Sequence, residues 1–330
     1  MRTMDQLLLG RKVLVTGATG LIGKALTKEL INKGASVLAV VRDEKKAKQI
    51  FKDTPNIEYI VCDIMSLPLE NLGVEYIVHG ASKTSSKAFV EEPVETIMTA
   101  VEGTTRVLEF ARLNPVKKLV YLSSMEIYGA PSTDKKIDEK SVNNIDTMMV
   151  RSSYPESKRL CECLCEAYHK EFSVPACVIR LTQTFGKGVQ YHDGRVFAEF
   201  ARCVLEERDI VLKTKGETKR SYLSVDDAVS AIIAILLKGK NGEAYNAANE
   251  STYCSILEMA NKVAQICAGE KIQVVIDESS NTAVCGYAPV LHMNLDTKKL
   301  QNLGWLPQFD LLEMYQQMIE DMRLQMGINE

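Results

Sequence analysis

Lys12-Val13-Leu14-Val15-Thr16-Gly17-Ala18-Thr19-Gly20-Leu21-Ile22-Gly23 is the stretch whose reading decides the fold. Lys12 to Thr16 has the length and aliphatic content of a short buried strand. Three glycines follow at Gly-x-x-Gly-x-x-Gly spacing. Beyond them Leu21, Ile22, Ala25, Leu26, Leu30 and Ile31 recur with the period of a helix, which Gly34 closes. Strand, glycine turn and helix in that order are the setting of a dinucleotide-binding turn. Glycines let the backbone approach a pyrophosphate, and the helix N-terminus offers it the positive end of a dipole.

Outward from that turn, strand and helix alternate. Strands are predicted at 12–16, 37–41, 57–61, 75–79, 118–122 and 176–180, with helices near 92–112 and 153–171. The pattern implies an α/β, Rossmann-like doubly wound parallel sheet. After Gly186 the periodicity loosens, as expected of a smaller α/β lobe. Asn114-Pro115 ends one helix. Ser153-Tyr154-Pro155-Glu156 has the spacing of a capping box, with Pro155 tolerable in a first turn. The polar segment 130–150 reads as a surface loop.

Tyr154 and Lys158 are four apart, so a helix places them on one face. An ammonium beside a phenol is expected to stabilise the phenolate and lower its pKa. The phenol then serves as proton donor and acceptor near neutral pH. Ser123-Ser124, at a strand end about thirty residues earlier, could hold a substrate oxygen. Such a trio suits hydride chemistry at a carbinol or carbonyl.

Composition narrows the field. The chain has 330 residues, 46% hydrophobic and 25% charged, enough for one large α/β unit plus a smaller lobe. A net charge of −3 creates no field for a polyanion, so nucleic acid is disfavoured as a partner. No apolar run reaches a membrane span. Leu7-Leu8-Leu9 is too short for the core of a signal peptide, so a cytoplasmic location is expected. Cys161, Cys163 and Cys165 fan around a helix and do not converge on a metal; no metal site is expected. His79, at a strand end, reads as structural.

Taken together these residues resemble the extended short-chain dehydrogenase/reductase family, in its nucleotide-sugar epimerase and dehydratase branch. The likeness includes the glycine turn, Cys62-Asp63-Ile64, Val78-His79-Gly80-Ala81-Ser82 and Leu122-Ser123-Ser124-Met125-Glu126-Ile127-Tyr128-Gly129. It continues through Tyr154/Lys158, Arg180 to Gly186, Arg220 to Asp227, and Asp296 to Leu300 before Leu303-Gly304-Trp305-Leu306-Pro307. It implies a dinucleotide held by Gly17, Gly20, Leu21, Ile22, Gly23, Asp63, Ile64, Ala81 and Ser82, with Tyr154 and Lys158. The family's acidic position at the end of the second strand falls on Val41, and Arg42 follows. A guanidinium there suits a 2′-phosphate, so NADP(H) is favoured over NAD(H), although Asp43 could take the ribose role.

The mechanism this resemblance implies is transient oxidation at carbon 4 of a nucleotide-diphosphate sugar. Tyr154 would take the hydroxyl proton, Lys158 would bind the nicotinamide ribose, and Ser124 would hold the reacting oxygen. Returning the hydride gives a 4-epimer, the outcome placed slightly ahead. Elimination gives a dehydratase. Glu126 is kept, but Met125 stands where 4,6-dehydratases carry an Asp, and a thioether cannot donate a proton. A net NADP(H)-dependent carbonyl reductase is the alternative. Arg220 would clamp the diphosphate, with Gln183 beside it. A second diphosphate arginine is absent from Ala288-Pro289-Val290-Leu291-His292, and Ala100 replaces a frequent Asn. The lobes are expected at 1–178 with 219–250 and at 179–218 with 251–330. A homodimer through the helices near 92–112 and 153–171 is the family expectation.

Overall fold

The computed structural model describes residues 7–277 and 290–327. Chain order begins β1 (Lys12–Thr16), α1 (Leu21–Asn32), β2 (Ser36–Val41), α2 (Glu44–Ile50), β3 (Ile57–Val61), β4 (Tyr76–His79), α3 (Ser86–Glu91) and α4 (Pro93–Leu113). It continues β5 (Lys118–Ser124), α5 (Ser153–Phe172), β6 (Ala176–Leu181), β7 (Gln183–Phe185), α6 (Val196–Leu205), β8 (Ile210–Leu212), β9 (Lys219–Ser224), α7 (Val225–Lys238) and β10 (Ala244–Ala247). The rest is β11 (Asn249–Ser255), α8 (Ile256–Lys262), β12 (Val274–Ile276), β13 (His292–Met293), α9 (Lys298–Gln301) and α10 (Leu311–Gln325).

Seven parallel strands form the large sheet in the order β10-β6-β5-β4-β1-β2-β3. This is the doubly wound arrangement expected from the sequence, with its switch point between β1 and β4. Alternation explains why the strands read as unbroken apolar runs. Val13, Val15, Val37 and Ala39 join one core with Leu26, Leu30 and Ile232. Leu14, Leu38 and Val40 join the other with Val107, Phe110, Cys161 and Cys165. Cys163, between them, is exposed. The Cys161 thiol donates to the Ala100 carbonyl at 3.2 Å, so the residue that replaces the frequent Asn packs beneath α5.

The smaller sheets are β11-β9-β13, with β7 pairing β9, and the pair β12-β8. Their core gathers Phe185, Phe197, Tyr222, Met314 and Tyr315. Strand β9 belongs to this smaller sheet, and β10 pairs with β6 at the edge of the large one. Buried Asp227 accepts from the Gln308 and Phe309 amides at 2.8 and 3.2 Å, tying α7 to the segment that enters α10.

Predicted elements match observed ones to within a residue or two. The capping box at Ser153 does not form. A 3-10 turn at Val150–Ser152 feeds α5, and the Ser153 hydroxyl donates to the Phe89 carbonyl at 2.9 Å. The side chain serves tertiary packing in place of the local cap. Among the described residues no helix is long and apolar enough to cross a membrane, and no cluster of three or more metal-ligating side chains occurs.

Candidate active site

The glycine turn sits at the switch point. Gly17 has φ +73°, and a Cβ there would lie 2.8 Å from the Gly80 carbonyl carbon. A Cβ at Gly23 would come within 2.1 Å of the Gly17 oxygen. These contacts forbid side chains and leave a bare backbone cradle. Helix α1 opens from Gly20 with no side-chain cap and no acidic residue in its first turn, so its positive end faces the cradle uncompensated. Thr16 joins β1 to β4: its Oγ1 accepts from the Gly80 and Ala81 amides, both at 3.1 Å, and is hydrogen-bonded to His79 Nδ1 at 2.7 Å. His79 Nε2 reaches Thr104 Oγ1 at 3.1 Å. Burial, and secondarily the Lys158 charge, lower the His79 pKa to about 3, so this ring is neutral and structural.

A cavity of 540 Å³ runs from this cradle across the ends of β4 and β5. Its wall includes Gly17, Gly20, Leu21, Ile22, Gly23, Arg42, Asp63, Ile64, Ala81 and Ser82 at one end. Ser124, Glu126, Tyr154, Lys158 and Gln183 stand at the other. The residues thus fit a dinucleotide laid over a cradle that any Cβ would fill. Arg42 lies exposed at the wall, while Asp43 caps α2 through the Lys46 amide at 3.0 Å and does not line the cavity. Asp63 lines it and also accepts from the Met65 amide at 3.0 Å. Arg220 stands behind the wall: its Nη1 donates to Gln183 Oε1 at 3.3 Å, and its buried Nε has no partner among the described residues. Of the segment lacking a second arginine, Ala288 and Pro289 lie outside the described residues.

The end of the cavity that holds Tyr154 and Lys158 departs from expectation in its electrostatics. Lys158 Nζ donates to the Leu122 carbonyl at 2.8 Å and stands 4.7 Å from the Tyr121 ring and 5.8 Å from the Tyr154 ring. It does not acidify the phenol. Burial drives the Tyr154 pKa well up, and the Glu126 charge adds to this; Ser124 and Arg151 oppose it. Burial likewise lowers Lys158 to about 8, against partial support from Cys161, Glu162 and Cys165. The spacing argument put the two groups on one face correctly but omitted the desolvation of both. Ser123 is occupied elsewhere, donating to Glu162, whose carboxylate also holds Arg180 in a part-buried pair.

Phe89, Lys83, Arg195 and Arg151 are among the wall or near-wall groups that escaped the sequence reading. Phe89 stacks on Tyr154 with centroids 4.2 Å apart. Lys83 lines the cavity and pairs with Glu95 at 2.8 Å. Arg195 lines it while holding Asp193. Arg151 pairs with Glu126 at 2.8 Å. Only Arg151, three before Tyr154, had a sequence signal: one helical turn separates the two.

A doubly wound sheet, a glycine cradle at its switch point, and serine, tyrosine and lysine converging on one cavity define a dinucleotide-dependent enzyme of the extended short-chain dehydrogenase/reductase class. The chain belongs to the NAD dependent epimerase/dehydratase family, whose sequence profile matches residues 13–248. It is 29% identical over 317 residues to UDP-glucuronic acid decarboxylase 2 of Arabidopsis thaliana, covering 95% of this chain and 68% of that one. Its fold is that of the Thermotoga maritima UDP-glucose 4-epimerase with UDP-glucose, at TM-score 0.82, 23% identity, and 96% and 99% of the two chains. It is also that of the Bacillus anthracis dTDP-glucose 4,6-dehydratase in complex with NAD, at TM-score 0.78, 20% identity, and 96% and 98%.

Proposed function

We propose that this protein acts on a nucleotide-diphosphate sugar by transient oxidation at carbon 4. The observation that carries the reading is the convergence of Ser124, Tyr154 and Lys158 on the cavity that begins at the glycine cradle. A dinucleotide held over the cradle would supply the hydride acceptor for carbon 4 and the donor that returns it. Tyr154 takes the hydroxyl proton, and Ser124 orients the same oxygen. Lys158 would hold the cofactor ribose. Asp63 with the Ile64 backbone meets the adenine, and Ala81 and Ser82 line its path. Arg220 and Gln183, already bonded to each other, grip the diphosphate. Arg42 at the wall, with Asp43 engaged elsewhere, supports NADP(H) over NAD(H).

Met125 is buried and Thr182 donates to its sulfur at 3.3 Å, so no acid stands there to expel a hydroxyl. That disfavours elimination across carbons 5 and 6. Two fates remain for the 4-ketone. The decarboxylase relatives favour a uronic acid: the bond from carbon 5 to carbon 6 breaks, carbon dioxide leaves, and its electron pair forms the enolate of the ketone, which a proton quenches at carbon 5. Simple 4-epimerisation, the outcome the sequence placed first, is the second reading. Exposed Val90, Val94, Ile97 and Met98 on α3 and α4, with Leu160 on α5, support a homodimer. A cytoplasmic setting suits free thiols such as Cys163.

The test is a panel of UDP-glucuronate, UDP-glucose and UDP-galactose with each dinucleotide. Release of carbon dioxide marks decarboxylation, and an isobaric product marks epimerisation. Steady consumption of NADPH would replace both by the carbonyl reductase reading. Tyr154→Phe should lose on the order of 100-fold or more in rate while still folding. An undiminished rate removes the phenol from the mechanism.

A further inference from the structure

Arg151 lies one turn before the phenol and has no part in the mechanism above. Its guanidinium takes both oxygens of Glu126, Nη1 to Oε2 at 2.8 Å and Nη2 to Oε1 at 3.1 Å. The same guanidinium covers the Phe89 ring, with Cζ 4.9 Å from the centroid. Phe89 in turn stacks on Tyr154 with the planes 11° apart. Glu126, Phe89 and Tyr154 line the cavity; Arg151 stands behind them.

We propose that Arg151 is a positioning residue, fixing the Glu126 carboxylate and, through Phe89, the Tyr154 ring in one arrangement without touching substrate. The proposal rests on the carbon 4 oxidation reading. A two-point guanidinium–carboxylate pair sets orientation as well as distance. The aromatic platform removes the remaining freedom of the guanidinium and adds a cation–π attraction. A lysine at this position would supply charge without the planar fork.

Charge gives the second half of the argument. Glu126 and Ser124 face the phenol from the end of β5 and the turn after it, Arg151 from the turn before α5, and Lys158 from one turn along α5. Tyr121 faces it from β5. Phe89 covers the ring from α3 with an apolar face. Glu126 opposes ionisation of the phenol, and Arg151 favours it. A Glu126 freed from its guanidinium would leave an uncompensated carboxylate beside a phenol that must be ionised before it can take the substrate proton. Arg151 therefore lets the site keep a carboxylate there without silencing the tyrosine.

The experiment compares Arg151→Met, Arg151→Lys, Glu126→Gln and the Glu126→Gln/Arg151→Met double variant as holoenzymes. Reduction of bound nicotinamide by UDP-glucuronate is followed across pH. Arg151→Met should lower kcat by on the order of 10-fold or more, with KM little changed and the ascending limb of the profile displaced to higher pH. Arg151→Lys should recover part of that loss. In the Glu126→Gln background the Arg151→Met change should cost far less, because the carboxylate it compensates is gone. An unchanged kcat, or an equal loss in both backgrounds, overturns the proposal. If the wild type oxidises none of the sugars in the panel, the carbon 4 reading falls. Arg151 is then judged by thermal midpoints of the four variants and the wild type: non-additive shifts support the unit, and additive shifts overturn it.

Discussion

Replacing Lys158 by Met tests the buried charge at the centre of the site without any substrate. In the unfolded chain this lysine titrates near 10.5; in the fold burial brings it to about 8. Between those values the unfolded state holds a proton that the folded state has released. Raising pH through that window therefore favours folding. The gap is roughly 2.5 pH units at about 1.4 kcal/mol each, or about 3 kcal/mol in total. Below about pH 8 the fold carries the whole cost of an ammonium removed from water, and by about pH 10.5 that cost is gone. Met keeps much of the volume and does not titrate. At neutral pH the variant should be the more stable protein by up to about 3 kcal/mol, less about 1 kcal/mol for the lost bond to the Leu122 carbonyl. Urea unfolding followed by circular dichroism, run on both proteins at each pH, cancels the titrating groups that Lys158 does not influence. The wild type should gain on the variant from about pH 8 upward and be parallel to it below. A difference that stays flat across the window, or that moves against the wild type, would refute the desolvation argument. The same variant should lose turnover, which would mark the ammonium as a functional group kept at a cost in stability.

Gly23→Ala has no room for its methyl, 2.1 Å from the Gly17 oxygen, and should cost about 1–3 kcal/mol and abolish dinucleotide binding; retained binding by calorimetry would contradict the cradle. Arg42→Ala should weaken NADP(H) about 10-fold or more and leave NAD(H) nearly unchanged, since a charge-assisted contact to a phosphate is worth about 1.5–3 kcal/mol; equal loss of both in titrations would end the 2′-phosphate reading. Val94 is 72% exposed, and Val94→Glu should shift a dimer toward monomer in sedimentation without lowering the melting midpoint of the monomer; an unchanged mass would exclude α4 as the contact.

Much of the architecture was legible in the chain because its cause is local. Strands buried on both faces must be apolar throughout, and Val13-Leu14-Val15 alternates between two cores, as such a strand does. Gly17 and Gly23 are bare because backbone approaches them, and only glycine tolerates that at their spacing. Tyr154 and Lys158 share a face because a helix repeats every 3.6 residues. What the chain could not disclose was the environment those groups meet. The Tyr154–Lys158 spacing predicts an acidified phenol; tertiary burial raises that phenol, lowers the lysine, and turns its ammonium to the Leu122 carbonyl. Asp43 and Arg42 are adjacent in sequence, but the start of α2 takes the first and leaves the second on the cavity wall. Phe89 lies more than sixty residues before Tyr154, and no periodicity joins them; only the packing of α3 against the turn before α5 brings ring to ring. Periodicity and glycine spacing are properties of neighbours along the chain, so sequence alone determined the sheet, the cradle and the helix that carries Tyr154 and Lys158. Desolvation and pairing depend on groups distant in sequence, so only the folded chain decided which charges persist and where they point.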